Sequence, residues 1–233
     1  MADSVSTADR GWREQVLEAR RPPEEVPATY TRLAPVYEAW ARLTESRARR
    51  RVAELAAVQP GEDVLEVATG TGVQLVGLAR ANEGGRTVGV EPSEGMLAQA
   101  RQRIESSGLG DRIELIEGSA LELPLASESF DLLVNGYMLD LLPRAEIHRA
   151  LAEFKRVLRP GGRLVLSNMT KGERRRERIW DWLYSKGVVL TANCRGVLAA
   201  PALRELGFAE VSREYIAQMT FPTEIVTARK ERK

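Results

Sequence analysis

Asp63-Val64-Leu65-Glu66-Val67-Ala68-Thr69-Gly70-Thr71-Gly72 is the stretch best equipped for chemistry. Gly70 and Gly72 lack a Cβ, so the backbone there can take positive φ and let a ligand come close. Leu75, Val76, Leu78 and Ala79 follow at helical spacing. A helix beginning at the glycines leaves N–H groups aimed at the ligand. The apolar run that begins before Gly70 reads as a buried strand, entered through the breaker Pro60-Gly61. A second strand, Arg86-Thr87-Val88-Gly89-Val90, ends at Glu91. An acid at such a strand tip, about 20 residues past a glycine loop, accepts hydrogen bonds from ribose hydroxyls.

A dinucleotide site needs a third glycine beside the pyrophosphate, and Leu75 stands in that place. The pattern therefore favours a ligand with a ribose and no pyrophosphate over NAD. S-adenosylmethionine is such a ligand.

Five ordered motifs over roughly half the chain resemble class I S-adenosylmethionine-dependent methyltransferases, in the manner of the ubiquinone/menaquinone-biosynthesis type and bacterial phosphatidylethanolamine N-methyltransferases. They are residues 64–72, Val88-Gly89-Val90-Glu91-Pro92-Ser93-Glu94-Gly95-Met96-Leu97, Gly118-Ser119-Ala120-Leu121-Glu122-Leu123-Pro124, Phe130-Asp131-Leu132-Leu133-Val134, and residues 156–164. The resemblance implies an α/β fold, a Rossmann-like three-layer sandwich with a mostly parallel seven-stranded sheet and an antiparallel last strand. It implies S-adenosyl-L-methionine as cofactor, held by Tyr30, Ala68, Gly70, Gly72, Glu91, Met96, Ser119, Ala120 and Asn135. Two positions depart from the family pattern: Ala68 replaces the first loop glycine, and Ser119 replaces the aspartate that meets the adenine amino group.

Stepping outward, 233 residues with 43% apolar content suffice for one sizeable core. The net charge of +1 gives no overall field for nucleic acid. One cysteine, Cys194, and one histidine, His148, leave no disulfide, cysteine cluster or His-rich metal site. The polar N-terminus has no signal-peptide core, and no apolar run approaches the roughly 18 residues of a membrane span. A cytoplasmic protein is expected, with at most peripheral membrane contact.

Residues 1–51 are expected to form a helical cap and 52–233 the catalytic domain, with 171–200 an insertion on the acceptor side. Within the cap, residues 12–20 suggest a short helix and 21–27 a proline-rich linker. Tyr30 and Tyr37 either face the sulfonium or pack the first helix onto the sheet. Residues 41–58 read as a helix whose arginines, Arg47 and Arg49 to Arg51, form a solvated face or meet an anionic lipid surface or substrate. Ser93 is placed as the N-cap of a helix reaching Ile104, with Met96 one turn in. Strands are expected at 113–117, 130–135 and 163–169, and a helix at 143–158. Pro160-Gly161-Gly162 reads as a turn, and 210–216 with 223–228 as an antiparallel pair before a charged tail.

Ligands in open α/β sheets sit at the carboxyl ends of strands, which puts Asn135, Tyr137 and Asp140 nearest the reacting groups. Asp140 and Tyr137 are the candidate general bases, with Tyr30 the less favoured third. A wall of Trp180, Leu183, Tyr184 and Arg195 would suit an apolar acceptor with an anionic group, or these side chains seal a helix onto the core. The function expected is methyl transfer to a small-molecule or lipid-like acceptor by in-line displacement. A non-catalytic binding module is the alternative, and an NAD-dependent oxidoreductase the less favoured one.

Overall fold

A computed structural model describes residues 41–185 and 195–232, without the side chains of 181 and 185, and isolated positions between 11 and 39. Most of the expected 12–20 helix and of the 21–27 linker, and all of Tyr37 and Cys194, lie outside the described residues.

Seven strands form one sheet: β1 Val64–Val67, β2 Thr87–Glu91, β3 Ile113–Glu117, β4 Phe130–Gly136, β5 Leu158–Met169, β6 Phe208–Gln218 and β7 Phe221–Lys230. Their order is β3-β2-β1-β4-β5-β7-β6. The first five run parallel, and β7 is antiparallel to both its neighbours, β5 and β6. The sheet is thus the expected one, mostly parallel with an antiparallel last strand.

Strands buried on both faces read as nearly continuous apolar runs. β1 is buried throughout, and alternation sorts its side chains between two cores. Val64 joins Leu132, Val134 and Val165 on one face. Leu65 and Val67 join Val88, Leu133 and Leu166 on the other. The first face is covered by α1 Ser46–Ala56 through Ala48 and Val52, with Leu78 of α2 Val73–Ala81. The second is covered by α4 Arg144–Val157, through Ile147, Leu151 and Phe154, and by α6 Ala199–Glu205. Helix α3 Glu94–Ser106 follows β2, and its N-cap is Ser93, whose side chain accepts from the Met96 N–H. Helix α5 is Ile179–Ser185.

Three local expectations differ. The helix read at 41–58 breaks at Glu45, and α1 proper ends where Ala57 turns left-handed. Pro160-Gly161-Gly162 lies inside β5 rather than before it, at an irregularity in the β4–β5 register. The charged tail begins later than Arg229. Lys230 stays in β7 because its ammonium donates to the Leu158 carbonyl at 2.7 Å, and Arg229 because it bonds Glu210 and the Gly161 carbonyl.

The opposite ends of the central strands are pinned by charge. Arg159 bridges Asp63 and Asp131 at 2.6 and 2.5 Å, and Arg163 grips both oxygens of Glu62. Paired guanidinium bonds of this kind fix geometry as well as charge. The carboxyl ends, which carry the loops, are left for the site.

Candidate active site

The loop after β1 turns sharply because three of its residues adopt positive φ: Ala68 at 58°, Gly70 at 54° and Gly72 at 76°. Gly72 is the N-cap of α2, and a Cβ there would meet the backbone of Ala100 on α3 at 3.2 Å. Gly72 therefore lets two helices approach, and it does not itself line the cleft. Gly70 does line it. The Gly70 N–H donates to Glu91 Oε2 at 2.9 Å, and the Ser93 N–H to Glu91 Oε1 at 3.0 Å. Glu91 thus ties the glycine loop to the start of α3, and each oxygen retains a further lone pair for a hydroxyl. Burial pushes its carboxyl up to about 7, against the two backbone donors that favour the charge.

Three adjoining cavities open at these strand ends, and Ala68 lines all of them. The first, about 80 Å³, is walled by Glu91, Met96, Tyr30, Tyr137, Met138 and Leu141. The second, about 40 Å³, is polar: Glu66, Arg49, Thr69, Thr71 and Ser167 face it with Gly70. The third, about 90 Å³, is mainly apolar, with Pro92, Ala120, Met138, Leu141 and Leu142 beside Ser119.

Glu66 was not singled out from the sequence, although an acid inside an otherwise apolar strand was a legible signal. It is 4% exposed, its Oε2 has no hydrogen-bond partner among the described residues, and burial pushes its carboxyl up to about 8. An orphaned acid facing a cavity is built to receive a donor, and a cation best of all. Arg49 faces the same cavity while its guanidinium donates to Glu45 at 2.8 Å. Its place depends on α1 packing back over the sheet, chiefly on β5.

The other expected residues divide. Tyr30, Ala68, Met96, Ser119 and Ala120 line the cleft. Ser119 Oγ already accepts from the Leu121 N–H at 3.2 Å. Asn135 does not line the cleft: it is fully buried, and its amide donates to the Val67 carbonyl at 2.8 Å, clamping β4 to β1. Asp140 is also fully buried and outside the cavities; its Oδ2 accepts from the Met169 N–H. Tyr137 lines the cleft, but its hydroxyl sits 2.9 Å from Thr223 Oγ1 on β7, and burial holds the phenol proton well above its usual range. Of the three expected general bases, Tyr137 has its hydroxyl engaged by Thr223, Asp140 stands outside the cavities, and Tyr30 lines the first of them.

The expected acceptor wall is core. The Trp180 ring meets Phe221 edge-on at 5.2 Å, and its N–H donates to Thr220. Tyr184 donates to the Glu18 carbonyl. Arg195, 1% exposed, donates to the carbonyls of Asp140 and Leu142 and so stiffens the loop carrying Met138 and Leu141. Thr31 docks at the rim of the cleft. Thr31 Oγ1 lies 2.9 Å from Ser93 Oγ and accepts from the Gly95 N–H.

Residues 64–162 match the methyltransferase domain family. A demethylmenaquinone methyltransferase of Symbiobacterium thermophilum is 37% identical over 129 residues, 55% of this chain and 51% of that protein. One from Lactiplantibacillus plantarum is 31% identical over 156 residues, covering 66% and 63%. The chain spans about half the length of the first curated relatives it matches. Among solved structures, a Thermotoga maritima SAM-dependent methyltransferase, described as a possible histamine N-methyltransferase, superposes with a TM-score of 0.67 at 23% identity, covering 88% of this chain and 100% of that one. The cyclase SpnF gives 0.67 at 23%, covering 80% and 82%. These likenesses show the fold.

Proposed function

We propose that this chain, whose residues 64–162 form a methyltransferase domain, transfers the methyl group of S-adenosylmethionine to a small-molecule acceptor. The observation that carries the proposal is the cleft divided around Ala68. Its three chambers differ in chemistry as the three parts of that molecule do. Glu66 and Arg49 suit the ammonium and carboxylate of an amino acid, Glu91 suits ribose hydroxyls, and the apolar chamber beside Ser119 and Ala120 suits adenine. Leu75 is fully buried and packs over Gly89, where an added Cβ would lie 2.6 Å from its Cδ2.

Bound S-adenosylmethionine supplies a methyl group on a positively charged sulfur with a neutral thioether as leaving group. The chain's part is to hold, align and keep dry. Glu91 fixes the glycine loop, Glu66 and Arg49 fix one end of the donor, and Met96 and Met138 close apolar walls. Tyr30 and Tyr137 bring aromatic rings to the first chamber, where their faces favour a cation.

The acceptor is proposed to be apolar and lipid-like. The relatives' names and the apolar lining by Met96, Met138 and Leu141 support this. Residues 1–51 serve as a cap, as the docking of Thr31 on Ser93 and Gly95 suggests. In 171–200, any acceptor contact falls to residues other than Trp180, Tyr184 and Arg195, which pack inward.

Calorimetry with S-adenosylhomocysteine, followed by a mass-spectrometric screen of quinone, lipid and natural-product acceptors with labelled donor, tests the proposal. Heat on titration and a labelled product are expected. Absence of heat overturns the cofactor assignment; binding without any labelled product favours a non-catalytic binding module.

A further inference from the structure

The β6–β7 hairpin ends at Met219 and Thr220, both at positive φ, and this tip is held between two other segments. On one side Gln218 accepts from Ser46 Oγ and the Arg47 N–H and donates to the Leu43 carbonyl. On the other side Trp180 donates to Thr220 and stacks edge-on against Phe221. Residues 42–47, the hairpin tip and α5 therefore share one edge of the molecule.

That edge carries large apolar side chains in solvent. Leu43 is 60% exposed, Met219 71%, Trp182 56% and Ile179 49%. Exposed apolar groups scattered singly need no explanation, but a gathered set marks a contact surface. Arginines ring it. Arg42, Arg47 and Arg50 stand on the 42–50 side, and Arg175, Arg176 and Arg178 lead into α5, all exposed. None of these six makes an ion pair among the described residues. Among the described side chains of the same stretches, Glu45 pairs with Arg49, Glu173 with Arg213, and Glu177 is buried against Tyr215 and Arg174. The charge of the edge is thus strongly positive although the chain as a whole is nearly neutral.

We infer that this edge docks on an anionic lipid bilayer, with Leu43, Met219, Ile179 and Trp182 entering the interface and the arginines meeting headgroup charge. Arginine with tryptophan and aliphatic side chains is the composition of interfacial binding. A nucleic acid would use the arginines but has no counterpart for leucine, isoleucine and methionine at its phosphates. The edge adjoins the cleft: Arg49, one helical turn from Glu45, lines the polar chamber, and Phe221 packs on Tyr137 with ring centroids 6.0 Å apart. Docking here would present the cleft to molecules dissolved in the bilayer. The docking stands on the surface itself; only its link to a lipid-like acceptor rests on the function proposed above.

The test is flotation of the full chain with vesicles of phosphatidylcholine, with and without a third of phosphatidylglycerol. Binding to the anionic vesicles only, weakened by salt, is expected. The paired change Arg175→Glu and Arg176→Glu should lower that binding by on the order of tenfold or more. Met219→Gln with Trp182→Gln should also lower it severalfold. Calorimetric affinity for S-adenosylhomocysteine should stay unchanged in both, which separates this inference from the cofactor assignment and reports that the variants fold. The inference is overturned if anionic vesicles do not retain the protein or if the glutamine variant binds as before. It is equally overturned if an oligonucleotide is bound as tightly as the vesicles.

Discussion

The Gly70 N–H donates to the Glu91 carboxylate across 2.9 Å, joining the first glycine-rich turn to the tip of the neighbouring strand. One side chain thereby sets the loop's shape and keeps lone pairs for a sugar. Glu91→Ala should weaken S-adenosylhomocysteine binding by about 1.5–3 kcal/mol, the scale of hydrogen bonds to a charged group. Calorimetry checks it, and an unchanged dissociation constant removes Glu91 from that role.

Glu66 gives a pH signature. Its carboxyl is raised by burial to about 8 in the folded chain, against 4.5 as its ordinary value. The folded state thus binds the proton more tightly than the unfolded chain. The stability this contributes is complete below pH 4.5 and is lost as pH rises through about 8. Glu66→Gln should abolish that loss, seen as urea midpoints that fall less between pH 5 and 8. At pH 7 an ammonium arriving beside Glu66 should expel the proton. Binding heats in buffers of different ionisation enthalpy should then differ for the parent chain and coincide for Glu66→Gln.

Arg49 faces the polar chamber, so its loss should be felt only by ligands that carry the amino-acid end. Arg49→Ala is expected to weaken S-adenosylhomocysteine by about 1–3 kcal/mol and to leave 5′-methylthioadenosine within error. Equal losses for both ligands would mean that the helix had shifted rather than that a contact had gone.

Ala68 holds a left-handed conformation that costs an L-residue roughly 1–2 kcal/mol, whereas glycine there costs about 0.5–1 kcal/mol in chain entropy. Ala68→Gly should therefore stabilise the chain by up to about 1.5 kcal/mol. A urea midpoint below that of the parent contradicts the strain.

Gly95 sits in the first turn of α3, where alanine would ordinarily stabilise a helix by about 1 kcal/mol. Here an added Cβ would lie 2.8 Å from Thr31 Cα and 2.9 Å from its carbonyl oxygen. Gly95→Ala should displace the N-terminal segment from the rim. Hydrogen exchange around Thr31 should rise, with no gain in overall stability. A stabilised variant with Thr31 still protected would show that the segment does not rest there.

The sequence read well where one residue type has one physical use. The glycine pair, the acid at the tip of β2, the Ser93 cap and the parallel apolar strands all act through local geometry or period, and all were found. The misreadings share a different origin. Asn135, Asp140 and Arg195 are polar residues near strand ends, and sequence position alone could not separate facing a ligand from satisfying buried backbone groups. Asn135 clamps Val67, Asp140 takes the Met169 N–H, and Arg195 serves two carbonyls. Arg49 read as one of a run with two uses, a solvated face or a contact with an anionic surface or substrate, and only the fold of α1 over the sheet turns it toward the cleft.

Strand β7 lies between β5 and β6, so residues 221–230 fill an interior slot in the sheet. During synthesis, β5 must wait with an open hydrogen-bonding edge until residues 221–230 leave the ribosome. A nascent chain halted before that point would offer this edge to other chains, the usual route to aggregation. A chain truncated just before residue 221 should thus aggregate, even with the first five strands complete.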